Sequence, residues 1–304
     1  MTCRHGSRKI LDTFGSETLY KCDECKVIFA ERALESFDPR KLYENYYYYR
    51  NEIGGRFGPF VELVIRAFRF FRAFKIFTID PRARRILDIG SGRGFMLYYL
   101  KKYYGYKRTV GTQISSSAYE FSKNKLGLEI YDKDLLDLPF EKNSFDIITM
   151  LHVLEHLADP QGYIERVRWL LKDGGKLVIE VPNFGSWSSR LTGRHWLGLD
   201  LNYHLYFFTP ESLTALLKKH DFKVGMLHTF SLEHSAFVSA QSLASLLTRS
   251  EHLFFNALQA PRFSLRAIPD VLLVLLLMPL CLLINVVLYF SKRGEVLLVI
   301  AEKA

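Results

Sequence analysis

The chain has 304 residues, of which 49% are hydrophobic and 24% charged, and carries a formal net charge of +9; it is long enough to bury a real core and hold one large domain with appendages, but two complete enzyme domains would be cramped. The basic balance favours an anionic surface, either nucleic acid or the acidic leaflet of a membrane, without choosing between them. Four cysteines, Cys3, Cys22, Cys25 and Cys281, are too few for a disulfide scaffold and make a reducing cytoplasm the default, and the polar first twenty residues show no signal peptide.

Residues 1–40 read as a small N-terminal module. Cys22-Asp-Glu-Cys25 has the spacing that lets two thiolates reach one tetrahedral zinc from a tight turn. A zinc ribbon normally brings a second such pair, and here only Cys3 and His5 complete a set. Two readings stay open: zinc on Cys3, His5, Cys22 and Cys25, or a degenerate metal-free ribbon.

Residues 41–80 form an aromatic and basic segment. Lys41 to Arg50 is rich in tyrosine and either closes over a substrate pocket or packs as an N-terminal helix on the core. From Val61 to Phe77, Arg66, Arg69, Arg72 and Lys75 recur every three residues among five phenylalanines. At helical spacing the cations make one slowly drifting stripe. Such a helix suits a membrane interface, with arginines on lipid phosphates, and equally an ordinary packed helix with solvated arginines.

The strongest motif lies in residues 81–230. Ile86, Leu87 and Ile89 make a short apolar strand, Gly90, Gly92 and Gly94 a turn, and Phe95 onward a helix. The dinucleotide fingerprint of hydride-transfer enzymes spaces its glycines G-x-G-x-x-G, whereas here the third comes one residue sooner. Asp88 precedes the turn. Its charge repels a pyrophosphate and attracts a ligand carrying an ammonium and a sulfonium.

This D-x-G-x-G-x-G pattern resembles motif I of the Rossmann-like S-adenosylmethionine (SAM) methyltransferases, similar to the ubiquinone-type O-methyltransferases and to bacterial sugar- or lipid-modifying enzymes. The resemblance implies an α/β fold: a seven-stranded sheet with helices on both faces. It assigns the turn residues Asp88, Gly90, Ser91, Gly92 and Gly94 to the cofactor. Gln113 stands where an acidic side chain usually holds the ribose hydroxyls, a departure that an amide can partly make good, and Ile114 would lie against the adenine. Asp134, in Asp134-Leu135-Leu-Asp137, matches the residue that accepts the adenine amino group. Leu135 beside it and Leu151, ending the fourth strand, complete the cofactor set.

His152-Val-Leu-Glu155-His156 follows that strand. Its order is not that of the H-E-x-x-H zinc proteases, and in the resembling enzymes the stretch caps the fourth strand beside the methyl donor. His152 is a candidate active-site group, with metal ligation and simple packing as alternatives. Pro182-Asn183 and the block His204 to Leu213 resemble the acceptor side of one methyltransferase subgroup, which names a reaction but no substrate. His204 is a candidate base toward an acceptor hydroxyl, or a group that orders the loop.

Residues 294–304 fit the last strand of the sheet, antiparallel to its neighbour. Residues 231–293 are then an insertion, and within it Val271 to Phe290 is uncharged and almost wholly apolar. A single crossing would leave the last strand on the wrong side of the membrane. Pro279 near the middle suggests instead two short helical arms that enter the bilayer and return, with a single span or a dimer-interface helix as alternatives. The whole reading is a SAM-dependent methyltransferase on the cytoplasmic face of a membrane, transferring a methyl group to an O or C atom of a small-molecule or lipid-linked acceptor. An RNA methyltransferase and a non-catalytic SAM-binding membrane protein are the alternatives.

Overall fold

The computed structural model describes residues 6–15, 17–34, 59–250, 252–259 and 265–304. Cys3, His5 and the tyrosine-rich stretch from 41 to 50 lie outside them. Three antiparallel strands, β1 (Arg8–Phe14), β2 (Glu17–Cys22) and β3 (Ile28–Ala30), open the chain, and β3 pairs with β9 (Tyr206–Phe207) through Ile28 opposite Phe207. The N-terminal module is thus joined by backbone hydrogen bonds to a strand far along the chain, and Ala30, the last residue of β3, bonds to the carbonyl of Leu205 just before β9.

 The Ala30 N–H donates to that carbonyl at 2.9 Å, so the module shares a sheet with the main body.

The main sheet contains β4 (Arg85–Ile89), β5 (Arg108–Thr112), β6 (Glu129–Tyr131), β7 (Phe145–Leu151), β8 (Leu171–Pro182), β10 (Phe222–His228) and β11 (Val296–Lys303). Its order is β10-β11-β8-β7-β4-β5-β6, and β11 runs antiparallel between β8 and β10 while the others are parallel. This is the seven-stranded Rossmann-like sheet that the motif order implies.

Alternation along the strands divides the core into two. Ile86, Ile147, Val178 and Leu298 face α1 (Pro59–Ile79) and α2 (Phe95–Tyr103), meeting Ala73, Ile76, Met96, Leu97 and Leu100. Their neighbours Leu87, Ile148, Ile179 and Val299 face the opposite way. There they meet Ile164 and Val167 of α4 (Pro160–Leu170) and Leu213 and Leu217 of α6 (Pro210–Lys219). Central strands are apolar on both faces because helices cover both. Between them lie α3 (Ser116–Glu120), which continues as a wider turn to Lys125, and α5 (Trp187–Thr192).

Two expectations about the membrane elements change. The arginine stripe of α1 does not present itself wholly to lipid: Arg69 and Arg72 each place a guanidinium nitrogen 2.6 Å from Glu233, and Arg66 pairs with Glu62 at 3.1 Å. The phenylalanines pack against tyrosines, Phe77 stacking on Tyr104 at 4.9 Å and Phe70 meeting Tyr99 edge-on at 5.5 Å.

The insertion carries α7 (Ser235–Thr248), α8 (Leu253–Gln259) and α9 (Ile268–Leu288). Contrary to the two-armed hairpin, α9 runs unbroken through Pro279. The proline removes one backbone donor, whose acceptor four residues earlier is that of Leu275. Both residues lie on the exposed side of the helix, so the ring meets nothing across the helix interface.

The other side packs along α7, and polar groups bond across that seam. Asn285 donates to Ser239 Oγ at 2.9 Å, and Gln241 donates to Asp270 Oδ2 at 3.0 Å. Among the described residues one helical stretch, Leu265–Leu288, is long and apolar enough to cross a membrane. Leu272, Leu275, Leu276, Leu280, Leu283 and Val287 are each more than half exposed on its outer side.

Candidate active site

The glycine turn joins β4 to α2 at the carboxyl edge of the sheet. Gly90 has φ +71°, and a Cβ there would stand 2.5 Å from Val153 Cγ2. At Gly94, φ +72°, a Cβ would meet Leu128 Cδ1 at 2.6 Å. Both positions exclude a side chain on conformation and on space. Ser91 N–H donates to the Thr112 carbonyl at 2.9 Å, and the Gly92 carbonyl accepts from Ser122 Oγ at 3.2 Å, so β5 and the turn after α3 hold the loop in shape.

Asp88 is buried beneath this turn, where Oδ1 accepts from Thr149 Oγ1 at 2.6 Å. Burial pushes its carboxyl up to about 6, against the pull of the Thr149 hydroxyl and the Arg72 charge. At neutral pH it is still mostly ionised, and a cation placed over the turn would favour that form further. Arg93, inside the turn, meets both oxygens of Glu62 at 3.0–3.1 Å and ties α1 to the loop.

Gly90, Gln113, Ile114, Asp134 and Leu135 line one cleft beside the turn, together with Thr112, His152, Val153 and Tyr163. Asp134 Oδ1 accepts from the Leu136 N–H at 2.8 Å, and Oδ2 accepts from the Tyr163 hydroxyl at 2.7 Å. Tyr163, which the sequence reading missed, therefore orients the carboxylate. Burial, then the Asp134 charge, holds its hydroxyl protonated. Gln113 Oε1 accepts from the Ser115 N–H at 2.9 Å, which leaves its NH2 end as the group suited to a ribose hydroxyl. Leu151 is placed elsewhere: it lines a second cavity, on the far side of His152.

His152 follows β7 with φ +57°, an uncommon conformation for a residue with a side chain. Its N–H donates to the Glu180 carbonyl at 2.7 Å. The ring lies between two carboxylates, Nε2 3.1 Å from Glu180 Oε1 and Nδ1 3.5 Å from Glu155 Oε1. Burial opposes its charge, but the two carboxylates outweigh burial and push it up to about 9. At neutral pH the group is an imidazolium. It donates hydrogen bonds and is no proton acceptor there.

His234 offers the contrasting state. Its ring meets that of His152 edge-on at 4.5 Å, with Nε2 3.9 Å from Glu180 Oε1. Burial and the neighbouring His152 charge push it down to about 4, so it is neutral at neutral pH. Arg72 and Glu233 complete the cluster, Arg72 Nη2 lying 3.5 Å from His234 Nε2.

His204 stands behind these groups. It is buried, its Nδ1 pairs with the Gly198 carbonyl at 3.0 Å, and its ring meets His156 at 4.7 Å. His156 Nδ1 in turn pairs with the Tyr203 carbonyl at 3.0 Å. Burial lowers the pKa of His204. The ring reaches the cleft through His156, so the placement suits ordering of the loop better than attack on an acceptor. Nor do the motif residues 152, 155 and 156 share a helical face, because Leu154–His156 is one turn of 3-10 helix.

Of the proposed zinc ligands, Cys22 ends β2 and is buried, and Cys25 lies in the following turn. Among the described residues no further histidine, cysteine or carboxylate joins the two in a ligand cluster.

Residues 60–227 match a family model described as a methyltransferase domain. The chain belongs to that family. Its sheet has the Rossmann-like order of that fold, and the cleft beside the glycine turn offers a carboxylate, an amide and an open glycine cradle. The ubiquinone biosynthesis O-methyltransferase of Coxiella burnetii (strain RSA 331 / Henzerling II) is 30% identical to this methyltransferase over 147 residues, 45% of this chain and 62% of the relative. The chain therefore spans less than two thirds of that relative's length. The demethylmenaquinone methyltransferase of Thermotoga maritima is 27% identical over 175 residues, 49% of this chain and 74% of the relative. Among solved structures, the complex of the Haloferax volcanii Trm112 methyltransferase activator contains a chain similar in fold, with a TM-score of 0.53, 13% identity and coverage of 88% of this chain and 97% of that one.

The sequence pointed to the turn and to Asp134 through contiguous motifs. Glu180 carried a signal that was passed over, a lone charge inside the apolar run Leu177 to Val181. Arg72 was read only as part of the stripe along α1, and Glu233 and His234 carried no signal, since only folding brings them to His152.

Proposed function

We propose that this methyltransferase works at a membrane surface on its cytoplasmic side and methylates an oxygen or carbon atom of an amphiphilic small molecule. The observation that carries the reading is the outer side of α9, a row of exposed leucines and valines on a helix whose inner side is held to α7 by buried polar groups. An apolar row of this kind suits the acyl boundary of a bilayer, with the helix lying in the interface. Lying there rather than crossing keeps β11, which follows directly, in the sheet with β8 and β10. Two relatives named for quinone methylation support an acceptor of quinone-precursor type.

Bound SAM would supply an electrophilic methyl group on a sulfonium. The residues of this chain then have separate tasks. The glycine turn and Asp134 hold the donor, and charged His152 donates a hydrogen bond toward an acceptor oxygen. Neutral His234 takes the acceptor's proton, with Glu180 between the two rings. Incubating the protein and labelled SAM with lipid vesicles that contain a membrane extract tests this. Label in the lipid phase and flotation of the protein with the vesicles support the reading. Label confined to water-soluble acceptors, with no flotation, overturns it.

A further inference from the structure

A cavity of about 470 Å3 lies between α1 and the sheet, on the opposite side of His152 from the donor cleft. Strand register sets out its floor. Glu180, Leu298 and His228 form one rung, and Val178, Ile300 and Met226 form the next. The first rung is polar at its β8 end, where Glu180 meets His152 and lies beside Ser231. The second is wholly apolar. Phe68, Phe71 and Ile76 of α1 form the roof. Near the edge strand β10 the cavity opens, for Met226 and Leu232 are each 51% exposed.

We propose that this slot holds the hydrocarbon chain of the acceptor, with the acceptor's head group at the Glu180, His152 and His234 cluster. The volume falls within the range of ligand pockets, about 300–1,000 Å3, and the apolar rung between the Glu180 rung and Lys176 suits a hydrocarbon chain whose two ends meet polar groups. The opening also adjoins the apolar helix. His228 on the cavity wall stacks on Tyr289, directly after α9, at 5.3 Å. A molecule resting on lipid beside α9 thus has a short route into the slot. The inference rests on the amphiphilic-acceptor reading and adds where the chain is held and which residues limit its length.

The test uses farnesol, a fifteen-carbon prenyl alcohol, as the binding probe, alongside methyl transfer to the vesicle-borne extract. Met226→Trp narrows the slot and Met226→Glu charges it, and the exposure of Met226 lets both fold. Each is expected to weaken farnesol binding by about tenfold or more. S-adenosylhomocysteine binding by calorimetry should stay unchanged. Leu276→Glu, on the outer side of α9, should bind farnesol like the parent protein. If lipid-phase label appears and both Met226 variants bind farnesol and form that product like the parent, the slot assignment is overturned while the amphiphilic reading stands. If the parent neither binds farnesol nor labels any lipid, both are overturned.

Discussion

His152 and the buried Glu180 form a pair, Nε2 to Oε1 3.1 Å, that separates the donor cleft from the apolar cavity under α1. One residue directly follows β7 and the other lies in β8, adjacent parallel strands, so the sheet itself sets their spacing. The pair decides the protonation of the site, because two carboxylates hold the imidazole charged while the histidine beside it is kept neutral.

That arrangement gives a pH dependence with a definite sign. The folded-state value of His152, about 9, lies above the ordinary 6.5. Its contribution to stability is fully present below pH 6.5 and is lost as the pH rises through 9. Thermal unfolding of the parent protein and of His152→Gln across this window is expected to show a difference that shrinks toward alkaline pH. A difference that stays constant would contradict the assignment.

Replacing His234 by glutamine should lower kcat and remove the acidic limb of the pH profile, since burial and His152 push the imidazole down to about 4. The loss expected for a proton-accepting group is about 10²- to 10⁴-fold. Binding of S-adenosylhomocysteine, measured by calorimetry, should be retained, and His204→Gln should cost stability rather than turnover.

Gly94→Ala places a methyl group 2.6 Å from Leu128 Cδ1 on a backbone at φ +72°. The conformational penalty alone is about 1–2 kcal/mol, and the contact forces the turn to shift as well. Donor affinity should fall by about tenfold or more. Asp134→Ala should weaken donor binding too, whereas Tyr163→Phe, which only frees the carboxylate, should have the smaller effect.

Glu295 is buried just before β11 and accepts from Ser188 Oγ at 2.6 Å, Ser239 Oγ at 2.8 Å and Trp196 Nε1 at 3.3 Å. It joins α5, α7 and the loop of Trp196 to the sheet. Glu295→Ala strands the Ser188 and Trp196 donors, while Ser239 keeps the Ser235 carbonyl at 3.0 Å, and should destabilise the protein by about 3 kcal/mol or more in denaturant titration. Burial raises this carboxyl despite those bonds, so Glu295→Gln should be far milder.

Leu276→Glu together with Val287→Glu changes two residues that are each 75% exposed on the outer side of α9. Thermal stability should hardly move, and flotation with anionic vesicles should be lost. Retained flotation would show that α9 is not the anchor.

The sequence by itself determined the strand, turn and helix around Gly90, the succession of strands along the chain and the resemblance to the family, because these are local patterns read within a few residues of one another. It also marked Asp134 and the apolar run of α9. Tertiary structure alone decided what the arginines of α1 face, since Glu233 lies far along the chain and meets Arg69 and Arg72 only when α1 covers the sheet. It decided that Pro279 leaves α9 whole, because the ring sits on the side away from α7. Above all it decided the charge on His152, which depends on how deeply the ring is buried and on two carboxylates supplied by separate elements, quantities that no spacing along the chain encodes.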